Sequence, residues 1–286
     1  MANLKEIRNR IGTVKSTMQI TGAMKMVSAA KLKKAQDAIT AMRPYANKLT
    51  ELLQNLSSSL DGDIGAKHTE NRTVNKVLVV SITSNRGLCG AFNSNIIKES
   101  VSRYHGKYGG KQVDFITVGK KGNDILGKKF NIIANHSAIF DALTFENVAV
   151  IAEDLMAKFV EGEYDRIELI YNRFKNAATQ IVTTEQFLPI LPIEGDTNAS
   201  SDYIFEPSKA EIVEQLIPKS LKTQLYKALR DSFASEHGAR MTAMHKATDN
   251  AGELKDQLTL TYNKARQAAI TGEILEIVSG AEALNN

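Results

Sequence analysis

Both ends of the chain carry apolar residues in alternating steps of three and four, which is the spacing of a coiled-coil seam. At the N-terminal end the seam begins at Leu4, is interrupted, and resumes in phase from Leu32 to Leu56. The sequence has only 5 prolines in 286 residues, which leaves room for very long helices. We therefore predict one helix over residues 3–57, with a slight bend at Pro44. At ~1.5 Å per residue such a helix is about 80 Å long.

Polar residues interrupt this seam at Thr21, Lys25 and Ser28. The apolar side chains of the same stretch stand one position out of phase with the seam: Ile20, Met24 and Val27. Two interpretations stay open. The supercoil has a local stutter, or a second partner packs on the out-of-phase stripe.

A second seam is present near the C-terminus, at Met244, Ala247, Ala251, Leu254, Leu258, Thr261, Ala265 and Ala268. Many of these residues are alanine, which lets two helix backbones approach closely. An apolar stripe continues upstream, where Pro218 marks either a kink or the start of the long helix. From residue 219 to 284 the helix is about 100 Å long. Helices of this length need a partner, so we predict that the two terminal helices pair in antiparallel fashion.

The middle of the chain, residues 74–206, alternates strand and helix patterns. Strands are predicted at 76–83, 112–118, 132–133, 166–171 and 179–187, the last two as a hairpin, and helices at 95–108, 122–129 and 144–162. The predicted fold class is therefore α/β: a long antiparallel coiled coil plus a Rossmann-like open α/β domain with a largely parallel sheet. The predicted division is 1–57, 74–206 and 209–286.

No catalytic, cofactor or metal motif emerges from the sequence. Gly87 and Gly90 follow the first strand, but their spacing is not that of a dinucleotide fingerprint or a P-loop, so a tight strand-to-helix turn is favoured. Cys89 has no evident histidine partner, and a buried structural thiol is favoured over a nucleophile. The five histidines show no ligand spacing; His237 and His245 are interpreted as solvent or partner contacts.

Charge is uneven along the chain. Residues 1–34 contain one acid, Glu6, and eight basic residues: Lys5, Arg8, Arg10, Lys15, Lys25, Lys31, Lys33 and Lys34. A solvated helix face and an acidic partner surface both explain this. No apolar run is long enough to span a membrane, and the single cysteine is compatible with a reducing compartment. Any membrane contact is therefore expected only through other proteins.

Several separate segments resemble the gamma subunit family of F-type ATP synthases. They are ITGAMKMVSAAKL at 20–32, RPYA at 43–46, NRGLCGAFN at 85–93, SEHGARMTAMHKATDNA at 235–251, YNKARQ at 262–267 and ITGEILEIVSG at 270–280. The resemblance covers both terminal helices and the first βα turn, in the family's order and at its separations. It implies a rotating shaft without an active site of its own.

The resemblance also implies partners and contact residues. In the family, the coiled coil stands inside a ring of three α and three β subunits, and the α/β domain meets the epsilon subunit and the membrane-embedded c-ring. The matching ring-contact positions are Met24, Lys25, Arg240, Arg266, Gln267, Thr271 and Glu273. Met24 and Lys25 match the segment that an acidic lever of the β subunit touches. Tyr203 and Glu206 match the segment that meets epsilon and the c-ring, although an ordinary strand or loop pair explains them too.

Missing sequence features indicate the type of organism and count against two alternative functions. Chloroplast members carry an extra cysteine-bearing segment and mitochondrial members a transit peptide, so we expect a bacterial protein on the cytoplasmic side of the cell membrane. A nucleic-acid-binding arm is the first alternative, but residues 1–34 have no aromatic side chain for base stacking. A dinucleotide-dependent enzyme is the second, and the missing fingerprint counts against it.

Overall fold

The computed structural model describes residues 4–57, 66–70, 72–190 and 209–284. Within these ranges the chain forms six α-helices and five strands. The helices are α1 (Leu4–Ser57), α2 (Ala66–Thr69), α3 (Phe92–His105), α4 (Lys120–Leu126), α5 (Phe145–Val160) and α6 (Lys209–Leu284). The strands are β1 (Lys76–Ile82), β2 (Gln112–Val118), β3 (Ile132–Asn135), β4 (Arg166–Phe174) and β5 (Gln180–Leu188). They belong to two compact units, one of Met1–Ser28 and Met241–Asn286 and the other of Ala29–Arg240.

The unit of Ala29–Arg240 is built on a sheet of strand order β3-β2-β1-β4-β5 among the described residues. The first four strands are mutually parallel, and β5 returns antiparallel to β4. The central strand β1 is buried from its second residue onward because helices cover both faces. The predicted open α/β domain with its final hairpin is confirmed.

Each face of the sheet packs on a different set of helices. Leu78 and Val80 of β1 point to the face covered by α5 and by the Ile217–Leu229 stretch of α6. Val77 and Val79 point to the opposite face, which α3 covers. The alternation follows from the two-residue period of a strand. A Thr144 side chain that accepts a hydrogen bond from the Asn147 amide begins α5.

The two terminal helices are as long as their periodicity predicts, with one correction. Helix α1 includes Pro44, and α6 begins at Lys209 and passes through Pro218 without ending. The interpretation that Pro218 starts the long helix is therefore wrong. The sheet supplies the reason, since Ile217 and Leu221 on either side of this proline are buried in the core beneath it.

In the unit of Met1–Ser28 and Met241–Asn286, the two helix segments pair in antiparallel fashion. Met18 approaches the position of Gly252, and the Thr21 and Thr248 hydroxyl oxygens lie 2.8 Å apart. A residue farther along α1 thus meets one earlier in α6. The predicted coiled-coil pairing is confirmed here.

The register of the C-terminal seam differs from the prediction. Met244, Ala251, Leu258 and Ala265 are buried or partly buried as expected, and so is Ala247. The positions that alternate with them farther along are Lys255 and Tyr262, which are partly buried, and Thr248 is partly buried beside Ala247. The predicted Leu254 is 39% exposed, and Thr261 is exposed as well. Both choices alternate steps of three and four through the same four residues, so periodicity alone does not separate them.

Candidate functional site: interaction surfaces on the terminal helices

At the interrupted seam, α1 carries a stripe of apolar side chains that is open to solvent. Thr21 and Ser28 are buried, so polar groups do occupy the seam, whereas Ile20 is 60% exposed and Val27 is 58% exposed. Met24 lies between them and is half-buried. Single exposed apolar residues are ordinary, but a stripe over two turns of one helix indicates a surface that another protein covers.

Basic side chains occupy other faces of the same helix. Lys25 is half-buried, while Lys15 on the same helix is exposed. Within the described ranges, neither residue forms an ion pair with an acid of this chain. Their charge is therefore available to an acidic surface, which is one of the two explanations of the basic N-terminal segment.

The tip of α6 is a second exposed surface. The four predicted contact residues there, Arg266, Gln267, Thr271 and Glu273, are all exposed. Between and beyond them stand large apolar side chains that are also open to solvent: Ile270, Ile274, Leu275, Ile277 and Val278. So many solvent-exposed apolar residues at one helix end indicate a surface that a partner protein covers.

Arg240, by contrast, is buried, with 8% of its surface exposed. Its guanidinium forms an ion pair with Glu236 one helical turn earlier. The same group donates to the backbone carbonyls of Arg86, at 3.1 Å, and Gly87, at 3.3 Å. These bonds tie α6 to the turn between β1 and α3. Its predicted contact with the ring stays a prediction, and any such contact has to accommodate these internal bonds.

The turn that Arg240 contacts follows β1 directly. Leu88 and Gly90 adopt positive φ angles of 63° and 59°, a conformation that glycine adopts without strain. The Ser84 hydroxyl and the Asn93 amide group hold the turn together with hydrogen bonds across it. The interpretation of the glycines as a tight strand-to-helix turn is confirmed.

Cys89 sits inside this turn as a buried side chain. Burial raises the pKa of its thiol, against the smaller opposing effects of a Ser84 hydrogen bond and the Arg240 charge. A thiol with a raised pKa holds less thiolate and is a poor nucleophile. The structural role predicted for Cys89 is thus favoured by its surroundings.

His237 differs from the prediction of a solvent or partner contact, because it is buried in the unit of Ala29–Arg240. Its ring packs edge-on against Phe233 with centroids 4.5 Å apart. Burial, with the nearby Arg240 and Lys31 charges, lowers its pKa to about 4. Neither ring nitrogen has a hydrogen-bond partner among the described residues. His245, the second histidine of the pair, is exposed and lies 3.2 Å from Asp249.

Sequence reasoning missed two buried carboxylates of α6, Glu236 and Asp231. Asp231 binds Arg43 of α1 at 3.0 Å. Arg43 lies on a different helix, so the local sequence of Asp231 carried no signal of this ion pair. The spacing of Glu236 and Arg240, four apart, is typical of a helical ion pair.

The remaining predicted positions, Tyr203 and Glu206, lie outside the described residues. Among the described residues, no group of three or more histidine, cysteine, aspartate or glutamate side chains could hold a metal ion. Among the same residues, no helix is long and apolar enough to cross a membrane.

Comparison with known proteins identifies the family. The family model described as ATP synthase matches residues 3–284. Relatives named ATP synthase gamma chain include those of Flavobacterium psychrophilum, 75% identical over 99% of both chains, and Flavobacterium johnsoniae, 74% identical over the whole of both chains.

Solved structures agree. A chain of the Tetrahymena thermophila mitochondrial ATP synthase, in its central stalk and c-ring, is 28% identical with a TM-score of 0.58, over 80% of this chain and 99% of that one. A chain of the Euglena gracilis enzyme shares the fold at a TM-score of 0.69 and 23% identity, over 98% and 94% of the two chains. The chain belongs to the ATP synthase gamma-chain family.

Proposed function

We propose that this chain is the central-stalk rotor subunit of a bacterial F-type ATP synthase. It turns with the proton-driven c-ring and transmits torque to the catalytic β subunits, and it runs in reverse during ATP hydrolysis. The observation that carries this proposal is the antiparallel helix pair, which hides a polar seam at Thr21 and Thr248 while it exposes Ile20 and Val27. Its family membership supports the same conclusion.

The rotor itself is proposed to be non-catalytic and to need no cofactor. A shaft acts by presenting different faces to its surroundings, and the exposed residues Ile20 and Val27 occupy one side of α1. As the shaft turns, this side meets each β subunit in succession, and the unequal contact changes the affinity of that subunit for nucleotide. Differential contact of this kind is what a conformational change requires.

The proposed partners follow from the same surfaces. The stripe with Met24 and Lys25 contacts an acidic lever of the β subunit, and the exposed tip of α6 runs inside the upper part of the α and β ring. Tyr203 and Glu206 contact epsilon and the c-ring. Membrane contact occurs only through the complex, on the cytoplasmic side, and nucleic acid is not a partner.

Assembly is the first test. The tagged chain is co-expressed with α and β subunits of the same operon, and the purified complex is weighed by native mass spectrometry. A complex of three α, three β and one copy of this chain that hydrolyses ATP supports the proposal. A ring that forms without this chain contradicts it.

The Lys25 contact is tested by charge reversal in the assembled enzyme. Lys25→Glu places like charges together, so we expect weaker assembly or less proton pumping per ATP hydrolysed. The isolated chain should keep its helical content, because Lys25 forms no internal ion pair within the described ranges. Lys128→Glu, at an exposed lysine beyond α4, is the matched control. A Lys25→Glu enzyme that assembles and pumps like the parent shows that the proposed electrostatic contact is absent.

A further inference from the structure

A cleft of about 440 Å³ opens beside the hairpin of β4 and β5. Its charged lining comes from three elements: Arg43 of α1, Arg173 and Lys175 at the end of β4, and Lys227 and Asp231 of α6. All lie within the unit of Ala29–Arg240. The volume is within the range of small-molecule sites, about 300–1,000 Å³.

Positive charge exceeds negative charge in this cleft. Within the described ranges, Arg173, Lys175 and Lys227 form no ion pair. Glu185 adds a second carboxylate near Asp231, but it accepts a hydrogen bond from the Tyr171 hydroxyl at 2.9 Å. Four cations thus face two carboxylates, and unpaired cations around a concavity attract an anion.

Arg43 is held in place without using its full set of donors. Its Nη2 donates both to the Phe174 carbonyl and to Asp231 Oδ1, each at 3.0 Å. Its Nε and Nη1 take no part in these two bonds. A guanidinium fixed in this way presents its remaining donors in a rigid fork that suits phosphate geometry.

Asp231 has one buried oxygen without a partner. The side chain is 1% exposed, and its Oδ2 accepts no hydrogen bond from the described residues. An oxygen this buried is out of reach of a ligand in the cleft, so Asp231 acts there through Oδ1, which fixes the Arg43 guanidinium. The ligand should therefore present several anionic oxygens to the cations.

We propose that this cleft binds a phosphoryl oxyanion, held by Arg43, Arg173, Lys175 and Lys227. The anionic oxygens of the ligand accept hydrogen bonds from these four cations. Free phosphate, pyrophosphate and the terminal phosphate of a nucleotide share this chemistry. The site contains no P-loop and is separate from the surfaces assigned to the rotor function. The binding proposal can therefore be tested independently of that function.

Calorimetric titration of the full chain tests the proposal. Inorganic phosphate, pyrophosphate and ADP are titrated separately at one ionic strength, with sulfate as a fourth ligand. The variant Arg173→Gln/Lys175→Gln removes two exposed charges of the cleft, and Lys128→Gln/Lys129→Gln makes the same change at two exposed lysines beyond α4. Circular dichroism confirms that both double variants keep the fold.

We expect saturable binding at one site per chain by the phosphoryl ligands. The cleft variant weakens it by about tenfold or more because charge-assisted hydrogen bonds are lost, and the control variant leaves it unchanged. Sulfate is a tetrahedral oxyanion like phosphate, so we expect it to compete with phosphate for the same site. Binding of phosphate as tightly as ADP identifies the free anion as the ligand, whereas binding of ADP and pyrophosphate alone identifies a nucleotide or polyphosphate.

Two results overturn the proposal. The first is the absence of saturable binding by any phosphoryl ligand. The second is an equal loss of binding in the cleft and control variants, which indicates attraction to net charge only.

Discussion

Replacement of Arg240 by methionine tests whether the internal ion pair and hydrogen bonds of this side chain stabilise the folded chain. The variant Arg240→Met keeps most of the aliphatic volume but leaves Glu236, which is almost as buried, without its ion-pair partner. It also removes the donor to the carbonyls of Arg86 and Gly87. Breaking one side of a buried ion pair costs about 3–5 kcal/mol of folding free energy. We expect a loss at the lower end of this range, because Glu236 can take up a proton.

Urea denaturation of the full chain, followed by circular dichroism, measures this loss. Arg266→Met is the matched control on the same helix, since Arg266 is exposed, and we expect it to change the free energy of unfolding by less than about 0.5 kcal/mol. Adding Glu236→Gln to Arg240→Met should recover part of the loss, because the second change removes the unpaired charge.

The pH dependence gives an independent check. Burial raises the pKa of Glu236, and the Arg240 charge and hydrogen bond oppose that shift. Without Arg240 the folded chain holds the Glu236 proton to higher pH than the unfolded chain does. Stability is then lost as pH rises through the window above the ordinary carboxyl pKa. The Arg240→Met defect should therefore be larger at about pH 8 than at about pH 5.

A different outcome refutes this argument. If Arg240→Met unfolds within about 1 kcal/mol of the parent but fails to assemble with α and β subunits, the internal bonds contribute little. Arg240 then acts as the contact with the ring that the family resemblance implies.

Three further substitutions or conditions test other parts of the structure. Gly238→Ala should destabilise the chain by about 1 kcal/mol, because the new methyl lies 3.2 Å from the Ala177 backbone. Gly252→Ala, with no neighbour closer than 4.0 Å, should stabilise the chain by about as much. If both variants change the stability equally in thermal denaturation, the close approach at Gly238 is contradicted. Thr248→Val should lower the free energy of unfolding by about 1 kcal/mol, because it removes the hydrogen-bond partner of Thr21. The double variant Thr21→Val/Thr248→Val should be closer to the parent in stability. If the losses of the two single variants add in a double-mutant cycle, the shared hydrogen bond is excluded. Acidification should destabilise the chain as pH falls from 6.5 toward about 4, because His237 takes up a proton in the unfolded chain but stays neutral in the folded chain. In urea titrations, the free energy of unfolding of the variant H237F should decline less steeply over this pH range.

The sequence determined the long elements because their signals are local and repeated. The three-and-four spacing at both ends predicts two long helices, and the scarcity of proline leaves them unbroken. The apolar run at Lys76–Ile82 predicts a strand buried on both faces, which the structure confirms. The resemblance of the terminal segments to one family added the function, which no spacing argument supplied.

Only the tertiary structure decided questions that depend on neighbours distant in sequence. Leu254 and Lys255 fit the seam equally well by spacing, and only the folded chain shows that Lys255 is partly buried while Leu254 is exposed. The sheet beneath α6 carried that helix through Pro218, since burial of the flanking residues outweighs one lost backbone bond. Arg240 and Asp231 are both charged residues on a long helix, and nothing in their local sequence distinguishes them from solvent-exposed ones. Their partners, the turn after β1 and Arg43 of α1, come from elements more than 150 residues away in the chain, so only the folded chain brings these charges together and buries them.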